Sequence, residues 1–243
     1  MTSAGFFTIL DTVDSTNNYA MQQAQDGLAN HGSAWFAIEQ TSGKGQRGKK
    51  WATEKGKNIA MSLVLAPGKA KITTQFQLSA VAALACFEFL KHYGGDEMKI
   101  KWPNDLFWRD RKAGGILIEN KFQGKAWKWA VVGIGININQ QVFNKELSNA
   151  VSLKQITGKN FDTIALGKEL HELVMKKLAE GRTSGEILQQ YNERLYKINE
   201  LVTLRKNGVK FDTHIKEVSA QGRLITIDAI EREFDFGEVE WLL

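Results

Sequence analysis

Between Thr41 and Trp51 the chain reads Thr41-Ser42-Gly43-Lys44-Gly45-Gln46-Arg47-Gly48-Lys49-Lys50-Trp51, cations threaded through glycines. Glycines let backbone amides come close to an anion, and Lys44, Arg47 and Lys49 can neutralise it. The spacing nearly matches the phosphate loop G-x-x-x-x-G-K-[ST], with Gly43, Gly48 and Lys49 in place. Lys50 stands where a hydroxyl would hold magnesium, and Trp51 to Asn58 is polar and turn-like where that loop would open a helix. A nucleotide-triphosphatase reading therefore fails on context, and anion binding survives. Thr41 to Lys57 holds six cations against Glu54 alone, a surplus equal to the formal +5 of the whole chain. A nucleic-acid reader spreads basic residues over a face; one concentrated loop suits a smaller anion, such as phosphate.

Three other stretches carry groups that could act on a ligand. Lys101-Trp102-Pro103-Asn104-Asp105 combines a strand end, a proline-fixed turn and two potential ligands for magnesium or a hydroxyl. Lys112 sits just before Gly114-Gly115 and a strand. Asp14-Ser15-Thr16-Asn17 precedes a helix-compatible run, where such residues ordinarily cap. Gly133-Ile134-Gly135 lacks a third glycine and falls inside a strand pattern, so it is no dinucleotide fingerprint. Along that strand Ala130, Val132, Ile134, Ile136 and Ile138 share one face; Gly133, Gly135, Asn137 and Asn139 share the other. Glycines weaken a strand interior, so something is expected close against that face, either a packed element or a ligand. The histidines are scattered, without the short spacing of a zinc site.

The elements that must position these groups are legible from periodicity. Strands are expected at Phe6 to Leu10, Ala34 to Glu39, Asn58 to Leu65, Ile116 to Phe122 and Trp129 to Asn139. Tyr19 to Gln25 suits a helix, and Gln75 to Lys91, apolar nearly all round, a buried helix with Cys86 as a packing residue. Leu166, Leu170, Leu173, Val174 and Leu178 form one helical stripe behind Asp162 as N-cap, and Glu186 to Tyr196 a last helix. Strand candidates then follow at Leu201 to Arg205, Val209 to Val218, Leu224 to Ala229 and Arg232 to Phe236, punctuated by Asn207-Gly208 and Gln221-Gly222. This divides the chain into a main domain, 1–196, and a tail, 197–243, too small for a core of its own and expected as a β-barrel docked on the main domain. A composition 43% hydrophobic and 24% charged excludes wholesale disorder. No run approaches the roughly 18 apolar residues of a membrane span. Met1 to Leu10 has no basic residue ahead of its apolar patch, so no secretory signal is expected. A single cysteine, Cys86, excludes an internal disulfide and fits a reducing cytoplasm.

Taken together, Asp14-Ser15-Thr16-Asn17, Gln40 ahead of Gly43 to Gly48 and Trp51, Lys101 to Asp105, Lys112 to Glu119 and Gly133 to Asn137 resemble, in order and spacing, the biotin protein ligases. The resemblance implies an α+β fold: a catalytic core related to class II aminoacyl-tRNA synthetases, a mixed sheet flanked by helices, with a C-terminal SH3-like barrel. It implies the monofunctional type, without the N-terminal DNA-binding domain of regulatory members, working in the cytoplasm as a monomer or homodimer with no membrane or specific DNA partner. Biotin and ATP, with Mg2+, would give biotinyl-5′-AMP and pyrophosphate, and the biotinyl group would pass to a lysine of a biotin carboxyl carrier domain of a carboxylase. Lipoate or octanoate ligases share the core. The polar set Ser15, Thr16, Asn17 and Gln40 favours a ureido ring over a plain acyl tail.

By the same resemblance those four residues hold the biotin head. Lys44, Gly45, Gln46 and Arg47 bridge the biotin carboxylate and the phosphate, and Gly115 belongs to the biotin side. Lys112 meets the carboxylate or the acyl-adenylate bridge, and Lys112 and Arg47 are the catalytic pair. Gly43, Lys101 and Asn104 join the nucleotide side, Trp51 lies against adenine, and Asn137 meets its polar edge. Asn104 and Asp105 are the magnesium candidates. The family loop commonly reads Gly-Arg-Gly-Arg; here Lys44 and Gln46 replace the arginines, which transfers retention of the adenylate to Arg47.

Overall fold

The computed structural model describes residues 7–144, 147 and 149–242. The alternation after Trp129 becomes the centre of a sheet. β7 (Ala126–Asn137) lies antiparallel between β3 (Asn58–Leu65) and β6 (Arg111–Gln123). With β1 (Phe7–Val13), β2 (Ala34–Gln40), β4 (Met98–Lys101) and β5 (Asp105–Trp108) they form seven strands in the order β1-β2-β3-β7-β6-β5-β4. Only β1 and β2 pair in parallel, which makes the sheet mixed. A parallel pair needs a crossover, supplied here by α1 (Thr16–Gln25). Phe6, expected in the first strand, lies outside the described residues, as do the other residues before Phe7.

Helices cover both faces because the central strands present apolar residues to both. On one face Ala20 and Ala24 of α1 pack with Trp35, Val64 and Val131. On the other, α2 (Gln75–Gly94), α4 (Thr163–Ala179) and α5 (Ser184–Glu193) share a core with Phe36, Ile59, Met61, Ile134 and Ile136. Asp162 caps α4 as expected, accepting from the N–H groups of Ile164 and Ala165. A short α3 (Leu153–Thr157), boxed by Ser152 and Gln155, precedes it; five residues are too few to show a periodicity in the sequence.

The tail forms β8 (Leu201–Lys206), β9 (Val209–Val218), β10 (Leu224–Ile227), β11 (Glu231–Phe234) and β12 (Glu240–Trp241). Their order is β11-β10-β9-β8-β12, antiparallel throughout, and Asn207 and Gly208 both take positive φ in the β8–β9 turn as a two-residue hairpin requires. β11 and β12 close onto no further strand among the described residues. This five-stranded antiparallel sheet is consistent with the small SH3-like barrel expected for the tail. Leu204, Ile215, Val218, Leu224 and Phe234 join the same apolar core as α2 and α5, so the tail is packed on the main sheet and not tethered beside it. Trp102 Nε1 donates to the carbonyl of Gly222 at 2.9 Å, and Asn192 bonds both backbone groups of Val218. Leu195 covers the outer edge of β4 by a parallel bridge to Ile100, leaving β1 as the sheet's open edge among the described residues.

Candidate active site

The glycine face of β7 is the floor of a cavity of about 1630 Å3, walled by the basic loop, the β4–β5 turn and the tail. Every candidate site residue singled out in the sequence lines it except Gly43, which is buried beneath the loop. The floor is glycine for a steric reason. A Cβ at Gly133 would collide with Asn17 Oδ1, and one at Gly135 with the indole of Trp51. The close approach expected on this face is thus met by two side chains of the site itself.

At the α1 end the polar groups are wired together. Ser15 occupies the N-cap position, but its hydroxyl makes no capping bond. Gln40 Oε1 accepts from the backbone N–H of Thr16 at 2.8 Å and lies 3.1 Å from its hydroxyl. Ser62 Oγ lies 2.7 Å from Thr16 Oγ1 and 2.6 Å from Asn17 Oδ1. The Asn17 amide donates to Glu119 Oε2 at 2.8 Å and to the carbonyl of Leu117 at 3.4 Å. Both Asn17 donors are therefore committed to β6, and only its oxygen still has capacity. Ser62 escaped the sequence reading, although a lone hydroxyl in the apolar run Asn58–Leu65 was its signal.

The basic loop doubles back on itself. Gly45 N–H donates to Lys49 O at 2.7 Å, Trp51 N–H to Gly43 O at 2.8 Å, and Lys44 bridges to Lys50. A single 3-10 turn, Gln46–Gly48, forms its tip, where Arg47 takes a left-handed φ of 54°. A Cβ on Gly43 would run into the carbonyl of Trp51, so this tight return requires glycine. Arg47 Nη1 donates to the carbonyl of Gly237 in the tail at 3.0 Å, and the Lys44 ammonium lies 3.5 Å from Glu119 Oε1. The Trp51 indole N–H is buried with no partner among the described residues.

Opposite the loop, Lys112 Nζ meets Asp105 Oδ1 at 2.6 Å. Strand register puts Gly115 across from Asp105, and a side chain there would press on that ion pair. Lys101 lies between the rings of Phe107 and Trp241, its Nζ 5.1 Å from each centroid. Burial pushes this ammonium down to about 8, with Lys112 and Lys49 adding repulsion and Asp105 opposing it. The buried amide of Asn104 donates to the carbonyl of Ile116, while Asn137 donates to Lys112 O and Val151 O at 3.3 and 3.2 Å. These contacts use the Asn104 amide nitrogen and one Asp105 oxygen. Among the described residues no three His, Cys, Asp or Glu side chains converge as metal ligands. Asn104 and Asp105 would supply at most two oxygens to a magnesium ion brought by a nucleotide.

The pattern defining the Biotin/lipoate A/B protein ligase family matches residues 9–137, which spans β1 to β7 and the site's floor, loop and head. The chain belongs to this family. Among relatives, it is 36% identical to the bifunctional ligase/repressor BirA of Escherichia coli over 146 residues, 59% of this chain and 43% of that one. It is 41% identical to the biotin--[acetyl-CoA-carboxylase] ligase of Paracoccus denitrificans over 133 residues, 54% of this chain and 53% of the other. The chain spans about half the length of these relatives. The biotin protein ligase of Aquifex aeolicus, solved in complex with biotin and ATP, superposes with a TM-score of 0.81 at 25% identity, covering 98% of this chain and 99% of that one. That superposition includes the tail, which the family pattern does not reach. In this member of the Biotin/lipoate A/B protein ligase family the tail also enters the site, through Gly237 and Trp241, and no local sequence signal marked either residue.

Proposed function

We propose that the chain is a biotin protein ligase: it joins biotin to ATP as biotinyl-5′-AMP, releasing pyrophosphate, and passes the biotinyl group to a lysine of a biotin carboxyl carrier domain. One observation carries this reading. A head pocket of alternating donors and acceptors and a cation-rich loop open into the same cleft over a glycine floor. The first suits a ureido ring, which offers both N–H groups and a carbonyl; the second suits a carboxylate meeting a phosphate.

The chemistry asks for alignment and charge and needs no enzyme nucleophile. A carboxylate is a poor acyl donor, so it must first become a mixed anhydride with a phosphate. The biotin carboxylate oxygen attacks the α-phosphorus, the bond to the β-phosphate oxygen breaks, and pyrophosphate leaves with that electron pair. The carrier amine then attacks the acyl carbon, loses a proton and expels AMP. Charge builds on phosphoryl oxygens in the first step, where Lys44, Arg47 and Lys112 stand ready. Lys101 adds a cation at the cleft's far wall, and Trp51 gives the base a flat partner. Asn17, its donors spent on β6, supports the head pocket through its oxygen. Asn137 likewise keeps an oxygen for the adenine edge. Magnesium enters no step here, since such an ion is ordinarily carried by the substrate's phosphates. The open edge of β1, where Ile9 is exposed, is the strand available to a docking carrier domain. Cys86, buried with its thiol pushed up by burial, suits a reducing cytoplasm.

Exchange of labelled pyrophosphate into ATP tests the reading. Exchange is expected with biotin and not with lipoate. No exchange with biotin, or exchange driven by lipoate, overturns it.

A further inference from the structure

Glu119 closes the motif that begins at Lys112, and neither the resemblance nor the proposed chemistry gives it a task. It stands on β6 opposite Val131, with its two carboxylate oxygens divided between two parts of the site. Oε2 takes the amide of Asn17, a side chain only 3% exposed, and Oε1 faces the ammonium of Lys44.

We propose that Glu119 is a positioning residue that fixes the orientation of the Asn17 amide and of the hydroxyls behind it, and so the head pocket's preference for a ureido ring. This rests on the biotin reading above. A carboxylate can only accept, so Asn17 must turn its NH2 to Glu119 and its oxygen to Ser62. That oxygen takes the single proton of Ser62. The Thr16 hydroxyl, 2.7 Å from Ser62 Oγ and 3.1 Å from Gln40 Oε1, then has a single proton for these two oxygens, while the Thr16 backbone N–H donates to Gln40 Oε1 on its own account. Gln40, turned by that backbone N–H, keeps its NH2 without a partner among the described residues and lines the cleft. The pocket thus offers a donor at Gln40 and acceptor lone pairs at Thr16 and Asn17, a pattern complementary to one carbonyl flanked by two N–H groups. A dithiolane ring supplies none of these partners. With a glutamine at 119 only the Leu117 carbonyl, at 3.4 Å, would still hold the Asn17 NH2 on this side, and the relay's direction would weaken. Lys44 would also be released from its counter-charge, so affinity for phosphate should not suffer.

The test is the biotin-dependent exchange assay on Glu119→Gln and Glu119→Asp beside the wild type. Glu119→Gln should raise the KM for biotin roughly tenfold or more, the size of one lost charge-assisted hydrogen bond, without raising the KM for ATP. Glu119→Asp, which keeps an acceptor-only charge, should stay within about threefold of wild type on both. A Glu119→Gln enzyme whose biotin KM is unchanged overturns the proposal. So does a Glu119→Asp enzyme as impaired as the glutamine variant, or a parallel rise of both KM values with a lowered melting temperature. Should Glu119→Gln fail to fold, Ser62→Ala breaks the same relay two links away and should raise the biotin KM alone; no rise there is equally fatal. A wild type without biotin-dependent exchange would instead remove the ligase reading itself, and this inference with it.

Discussion

Arg47 and Gly237, 190 residues apart, are joined by a hydrogen bond from the Arg47 guanidinium to the Gly237 carbonyl. The contact depends on the glycine, because a Cβ there would stand 2.5 Å from Arg47 Nη1 and 2.7 Å from Cζ. It ties the tip of the basic loop to the tail across the mouth of the cleft. A neutral carbonyl is a modest partner for a guanidinium, and a phosphate is a better one, so ligand entry can draw Arg47 away at a net gain.

Arg47→Ala should therefore lose on the ligand side while leaving the fold nearly intact. Biotin-dependent exchange is expected to fall ~10²-fold, about 3 kcal/mol, as for removal of one donor aimed at developing charge. The adenylate should also leave faster, since Lys44 and Gln46 offer less than two arginine forks. The melting temperature should barely move, because Arg47 is exposed and its left-handed backbone stabilises nothing by itself. Rapid gel filtration of enzyme carrying preformed adenylate checks retention; unchanged exchange and retention would contradict the role given to Arg47.

Lys101 predicts a pH dependence of nucleotide binding. Its ammonium is complete below about 8 and is lost above it. The KM for ATP should climb between pH 7 and 9, and Lys101→Arg, charged throughout, should flatten that rise. Stability moves the other way. Between about 8 and the ordinary 10.5 the unfolded chain binds more protons at this residue than the folded one, so its contribution to stability increases as pH rises through that window. ATP titrations and thermal melts of the two enzymes across this range measure both slopes.

Gly135 offers a way to separate the two ends of the cleft. Its backbone is ordinary extended strand, paired with Ala60 and Gly115, so alanine is tolerated by conformation, and the nearest obstacle to its Cβ is the Trp51 indole. Moving the indole off the floor should cost on the order of 1–3 kcal/mol of local packing and raise the KM for ATP roughly tenfold or more. The KM for biotin should stay within about twofold of wild type, because Gly133 and Asn17 are untouched. Steady-state kinetics in each substrate would show the split, and equal rises in both KM values would contradict it.

Much of this was legible because it is local. The bounds of β3 and β9 were readable to the residue, since apolar runs and turn residues delimit them, and Asp162 is visibly an N-cap. The glycine floor announced itself as a strand whose second face lacks side chains. What stayed hidden is long-range. That the Asn17 amide is taken by Glu119, 102 residues on, leaving only its oxygen toward the cleft, is not readable from either segment alone. β12 is two residues long and exists only because β8 is beside it. Nor does any strand pattern encode the packing of the tail sheet against α2 and α5.

Lys112 and Asp105 supply the most discriminating test. The pair at 2.6 Å is partly buried, and Gly115 leaves it room, so the carboxylate holds the ammonium at the edge of the cleft until a ligand carboxylate competes for it. If Lys112 acts on the reacting groups and Asp105 only through Lys112, their effects cannot add. Lys112→Met should lower exchange by ~10²-fold or more, the scale of one lost electrostatic contact to the transition state. Asp105→Asn alone should cost about tenfold or less, because the ammonium survives with a weaker anchor. In the Lys112→Met background Asp105→Asn should cost nothing further. It should even recover some thermal stability, since a carboxylate left without its cation in a partly buried site is unfavourable. A double-mutant cycle on exchange rate and melting temperature measures all four corners. Additive losses in rate would mean that Asp105 meets the substrates in its own right.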